Sequence, residues 1–183
     1  MAKANRRTYI ALLRGINVGG RNRLPMATLR SLCERLGFSQ VRTYIQSGNV
    51  LFEASGKSSR LAQQLTVALQ DDLQLELPVV VLEPQELATA VAENPWPELP
   101  LETISVCFLS KPASEKQIAA IPEINSGSDE WHCQGRFIYL SCPNGFAGTK
   151  LTNVFFEKHL EVQSTTRNWR TVTKLIELSE KQR

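Results

Sequence analysis

The chain has 183 residues, 42% of them hydrophobic and 21% charged, with a formal net charge of +3. This is an ordinary soluble composition, with enough apolar material for a core and enough length for one large or two small domains. No apolar run approaches the roughly 18 residues of a membrane span. The stretch at 9–13 is too short for a signal segment and no small-residue cleavage site follows it, so the expected location is the cytoplasm, with no membrane partner.

The first strand is expected at 8–13, an apolar, β-compatible run. It stops at Arg14 and opens into the loop RGINVGGRNR. Pro25 suits a first helical position. The residues after it, MATLRSLCERLGF, place Met26, Leu29, Leu32, Cys33 and Leu36 at helical spacing until Gly37 stops them. Strands at 41–45 and 49–54 flank QSGN, a hairpin turn with glycine for positive φ. A helix over 58–73 carries Leu61, Leu65, Ala68 and Leu69 on one face, and PVVVLE at 78–83 is a strand. The order β-α-β-β-α-β is the split-βαβ, ferredoxin-like pattern.

A helix at 84–93 leads into NPWPELP, whose three prolines mark a linker. The pattern then restarts. Strand 103–109, a short helix 114–121 and a hairpin of 131–133 with 137–141 about Gln134-Gly135 come first. Helix 149–159, a strand near 162–165 and a closing helix 169–180 follow. The fold expected is therefore α+β, two tandem ferredoxin-like (βαββαβ) halves, each followed by a helix. The halves are expected at 1–94 and 103–183, joined by the Pro-rich linker 95–102, as a structural duplication.

Charge is unevenly spread. Residues 1–50 hold nine Lys/Arg against the single acid Glu34, a net +8; residues 51–148 net −8, and residues 149–183 net +3. Two basic ends around an acidic middle fit an anionic partner contacted by both ends, or an unevenly charged solvated surface. Topology sharpens the first alternative. In a β-α-β-β-α-β sheet the strand order is 4-1-3-2, and strands 1 and 2 run the same way. The loop after strand 1 and the QSGN turn therefore leave the sheet at one edge.

That juxtaposition gathers Arg14, Asn17, Gly19 and Gly20 with Gln46, Ser47 and Asn49. Arginine clamps phosphate or carboxylate bidentately, glycines bring backbone N–H groups close to a ligand, and the helix start near Pro25 favours negative charge. The alternative is that the glycines only shape turns and the arginines only solvate. Two second-half segments are similar in kind. CPNGFAGTKL contains Asn144 and Lys150, with Thr149 as a helix cap; its glycine spacing does not match a P-loop. STTRNWRTVTK contains Arg167, Asn168 and Arg170 at a helix start, where capping and a core role for Trp169 are the plain alternatives.

Cys33, Cys107, Cys133 and Cys142 form no CxxC pair and read as reduced, packed thiols; His132 and Cys133 have no spaced second pair to complete a metal site. No cofactor is indicated. The candidate loops hold neither His, Cys nor paired carboxylates, so triads and two-carboxylate hydrolysis are unsupported and enzymatic activity stays undecided.

The segments ALLRGINVGGRNRLPM, VRTYIQSGNVLF, the ENPW step, CPNGFAGTKL and TTRNWRTVTKL together resemble the bacterial "domain of unknown function 1697" family, in order and over nearly the whole chain. Asn94-Pro95-Trp96 stands where many relatives carry NPF. The resemblance implies a ferredoxin-like fold and names no ligand. The reading is a pocket for an anionic, phosphorylated or nucleotide-like small molecule. Alternatives are a nucleic-acid-binding module, with Tyr9 and Tyr44 presenting rings on an open sheet face, and a protein-interaction module using a strand edge or the surroundings of Trp96.

Overall fold

The computed structural model describes residues 6–181. The chain divides into two compact units, one formed by Met1–Leu87 with Leu175–Arg183 and the other by Ala88–Lys174. The first contains strands β1 (Arg7–Leu13), β2 (Ser39–Tyr44), β3 (Asn49–Ala54) and β4 (Val79–Leu82), with helices α1 (Met26–Arg35) and α2 (Ser58–Leu73). The second contains β5 (Ile104–Leu109), β6 (Glu130–Gln134), β7 (Phe137–Ser141) and β8 (Ser164–Asn168), with α4 (Glu115–Ala119) and α5 (Asn153–Leu160). Helices α3 (Pro84–Ala92) and α6 (Trp169–Glu180) follow β4 and β8.

Each sheet is four-stranded and antiparallel, ordered β2-β3-β1-β4 and β6-β7-β5-β8. Both are the 4-1-3-2 order expected of the pattern. In the first unit Tyr9, Ala11 and Leu13 of β1 and Val50 and Phe52 of β3 point into one core with Leu29, Leu32, Leu61, Leu65 and Leu69 of the two helices. The strand period of two and the helical spacing thus meet on one face. In the second unit Cys107, Leu109, Ile138 and Leu140 pack with Phe156 and Leu160 of α5.

The two trailing helices change units along their length. From Ala88 onward α3 belongs to the second unit, where the Tyr139 hydroxyl donates to Ala90 O at 2.9 Å. From Leu175 onward α6 belongs to the first, where Arg42 Nη2 donates to Leu178 O at 2.7 Å.

Local expectations needed correction at four points. Pro25 is the N-cap of α1 rather than its first helical residue, with φ −60° and ψ 137°. Helix α5 begins at Asn153, not at 149, because Gly145 and Gly148 hold positive φ (86° and 90°) and keep the preceding loop out of helix. Its cap is therefore Thr152, whose hydroxyl accepts from Phe155 N–H at 3.2 Å, while Thr149 Oγ1 accepts from Leu151 N–H. The last strand lies at Ser164–Asn168 instead of 162–165, since β-branched Thr165 and Thr166 extend the pairing with β5 up to Asn168 opposite Ser105.

Candidate functional site

Strand register brings the opening loop and the hairpin turn together. Leu12 pairs with Asn49, and Leu13 N–H donates to Gly48 O at 2.8 Å, so the loop and the turn leave the same sheet edge side by side. The approach at Gly48 excludes any side chain. Its φ is +79°, and a Cβ there would stand 2.8 Å from Leu13 Cβ and 3.0 Å from Ile16 Cδ1.

The loop folds back on itself. Gly19 and Gly20 take φ of 57° and 76°, and Arg21 N–H donates to Val18 O at 3.0 Å. Positive φ at both central residues is the type I′ signature. Asn17 N–H to Asn22 O at 3.2 Å adds a second rung to this miniature hairpin.

Asn17 ties the hairpin down. Its Nδ2 donates to Leu24 O (3.0 Å) and to Gln46 O (2.8 Å), and its Oδ1 accepts from Leu24 N–H (2.9 Å). Asn22 Nδ2 donates to Gly15 O at 2.9 Å. Asn49, fully buried, donates to Tyr44 O (3.1 Å) and Ser47 Oγ (3.0 Å) and shapes the facing turn. Next to Gln46, Ile45 holds φ +49° with half its surface exposed, a conformation costly for a β-branched residue.

Between hairpin and turn lies a cleft of about 460 Å³ lined by Asn17, Gly20, Arg23, Leu24, Pro25 and Gln46. The start of α1 forms one wall. No side chain caps it and no acid stands in its first turn; the first N–H bonded back into the helix is Leu29 to Pro25 O, at 3.1 Å. The N–H groups of residues 26–28 thus lack intrahelical acceptors and carry the positive end of the helix dipole. The arginine lining the cleft is Arg23. It is exposed and, among the described residues, has no hydrogen-bond or ion-pair partner for its side chain. Arg14 sits half-buried at the root of the loop, its N–H donating to Pro78 O at 3.1 Å.

The second-half candidates are positioned within their own unit, at the end of the sheet where β7 and β8 finish and β5 begins. By topology the counterpart of the first cleft is at the opposite end, at the β6–β7 turn. Asn144 Nδ2 donates to Ser128 Oγ at 3.0 Å, and Lys150 is exposed. Arg167 is a buried strand residue whose Nη1 donates to Thr165 Oγ1 (2.8 Å) and Thr166 O (2.9 Å); burial pushes its pKa down to about 10. Asn168 caps α6 through Oδ1, which accepts from Thr171 N–H at 2.9 Å. Arg170 is exposed and lines a different cavity, together with Asn168 and Trp169.

Tyr9 does not present its ring on an open sheet face. It is buried in the core against Phe52, ring centroids 5.9 Å apart, because β1 turns odd-numbered residues towards the helices, and its hydroxyl donates to Gly56 O. On the other face Ile10, Leu12, Leu51, Val80 and Leu82 are equally buried. Tyr44 is half-buried. Arg23 escaped the sequence reading even though the signal, RNR before Leu24-Pro25, was in view. Chain adjacency puts it at the helix start, two residues before the N-cap Pro25, and the cleft beside that start includes it.

The fold is thus a duplicated, ferredoxin-like α+β chain with a loop-lined cleft at one edge of its first sheet. The chain belongs to the family described as "Protein of unknown function (DUF1697)", whose model matches residues 6–139. A conserved bacterial protein from Streptococcus pneumoniae has a similar solved structure, with a TM-score of 0.74 at 22% identity, covering 95% of this chain and 99% of that one. At that identity the likeness speaks for the fold. No curated protein matches the chain. Among the described residues no helix is long and apolar enough to cross a membrane.

Proposed function

We propose that the cleft at the start of α1 binds a small anionic ligand of the phosphorylated or nucleotide-like class. One observation carries the reading: an unpartnered arginine, Arg23, and an uncapped helix N-terminus with no acid in its first turn line the same concavity. Each favours negative charge, and a phosphate oxygen can accept from both at once. In this reading Gln46 supplies a further amide, Arg14 adds positive potential from the root of the loop, and Gly19 and Gly20 let the backbone turn close to the ligand. Asn17, Ser47 and Asn49 hold the two loops in register. The lining residues include no carboxylate, histidine or cysteine, so the cleft is suited to binding, or to catalysis by positioning and charge stabilisation.

The test is thermal denaturation with inorganic phosphate, pyrophosphate and nucleoside mono- and diphosphates, on wild type, Arg23→Ala and Arg14→Ala. At a hundredfold excess over Kd a ligand stabilises by about 2.7 kcal/mol. That stabilisation is expected to vanish in Arg23→Ala and to weaken in Arg14→Ala. No response to any probe, or a response indifferent to Arg23→Ala, retires the cleft as an anion site. Binding of oligonucleotides of many sequences with steep salt dependence would favour the nucleic-acid alternative instead.

A further inference from the structure

The second unit has a cavity of about 480 Å³ at the start of α6, lined by Leu101, Glu102, Asn168, Trp169, Arg170 and Thr173. Strand register creates it. Ser105 pairs with Asn168, so the chain just before β5 runs beside the chain just after β8. Glu102, in the 3-10 turn Leu101–Thr103, and Arg170, in the first turn of α6, are thereby brought to one concavity.

Its electrostatics differ from those of the first cleft. Glu102 and Arg170 carry opposite charges, both are exposed, and they do not pair with each other. Among the described residues neither side chain has a hydrogen-bond or ion-pair partner. Two other lining groups are engaged: Asn168 Oδ1 holds Thr171 N–H at 2.9 Å, and the Thr173 hydroxyl donates to Trp169 O (3.2 Å) and Arg170 O (3.1 Å). The capped helix start therefore adds little pull on an anion. Leu101, 46% exposed, adds an apolar surface.

A ligand carrying only negative charge would meet Glu102, and one carrying only positive charge would meet Arg170. A molecule with both charges a short distance apart satisfies both, and the volume lies in the range of about 300–1,000 Å³ typical of small-molecule sites. We infer that this cavity binds a small zwitterion, an ammonium-carboxylate compound with an apolar body such as an aliphatic amino acid. Arg170 takes the carboxylate, Glu102 the ammonium, and Leu101 packs on the apolar part.

The test is calorimetric titration of the full chain with L-leucine and ε-aminocaproate, which differ in charge separation, and with leucinamide and isocaproate, which each lack one charge. At least one zwitterion is expected to bind saturably, with leucinamide and isocaproate weaker by about tenfold or more. Arg170→Gln and Glu102→Gln should each cost the zwitterion a similar factor, and Glu102→Gln should strengthen isocaproate. Both side chains are exposed, so neither change threatens folding. Arg23→Ala should leave the titration unchanged, which separates this site from the first-unit cleft. No saturable binding of either zwitterion, equal binding of isocaproate to wild type, or indifference to both substitutions overturns the inference.

Discussion

The two units share one strand order, yet their corresponding sheet edges are built for opposite ends. In the first, the connection from Arg14 to Pro25 forms a stapled hairpin, and α1 starts uncapped beside Arg23. In the second, the connection from Ser110 to Ser114 is short, and α4 starts with a complete capping box between Ser114 and Gln117 and with Glu115 in its first turn. The arginine of the β6–β7 turn, Arg136, is spent on the backbone, its Nε donating to Leu109 O at 3.0 Å. A filled cap and an acid close a helix N-terminus to anions, whereas an empty cap and an arginine open it. The duplicated fold is a scaffold on which one copy keeps a free helix end and the other consumes it.

The sharpest way to break this comparison is at the hairpin glycines. Gly48 meets Leu13 and Ile16 where a Cβ would stand, whereas Gly135, at φ +60°, has nothing within 4 Å. Gly48→Ala combines a left-handed backbone with a clash and is expected to cost about 3 kcal/mol in chemical denaturation; Gly135→Ala pays the backbone term alone, about 1 kcal/mol. Equal costs would mean that the close contact of loop and turn is not special to the first unit.

A smaller effect is expected from the staple. Asn17→Gly keeps the positive φ but removes three hydrogen bonds, for a loss of about 1–2 kcal/mol and faster amide exchange in the 17–24 hairpin. Its counterpart, Ser114→Ala, removes the capping box for about 1 kcal/mol. An unchanged exchange rate after Asn17→Gly would remove the case for a rigid, preformed cleft.

Next is the contrast between buried and half-buried thiols. Burial pushes Cys33 from 9.0 to about 12 and Cys133 from 9.0 to about 11. Both thiols stay protonated in the folded chain while the unfolded chain ionises above pH 9. Their contribution to stability is full below pH 9 and falls as pH rises towards 11–12. With a water-soluble thiol reagent at neutral pH, Cys133 should react before Cys33. The smallest effect is expected at Ile45, where Ile45→Gly should stabilise by a few tenths of a kcal/mol, as relief of positive-φ strain slightly exceeds the added chain entropy.

Much of the fold was readable in the chain. Apolar periodicity marked α2 at its observed bounds, and the β-α-β-β-α-β order carried the strand arrangement with it, because handedness and helix crossovers leave few topologies. Where periodicity was weak, loop glycines and capping moved the start of α5, and β-branched pairing with β5 moved β8. Neighbouring loops at 14–25 and 45–48 followed from topology alone.

By itself the sequence determined the element order, the duplication, the basic first third and the meeting of the two first-unit loops, all of which depend on local pattern and chain connectivity. Only the tertiary structure decided what each side chain is free to do. Asn17, Asn49, Arg167 and Asn168 are engaged by backbone groups, Tyr9 is buried, and Arg23, Glu102 and Arg170 are left open beside cavities. Hydrogen-bond satisfaction is a property of neighbours brought together by the fold, and residue type carries no record of whether a polar group has already found its partner.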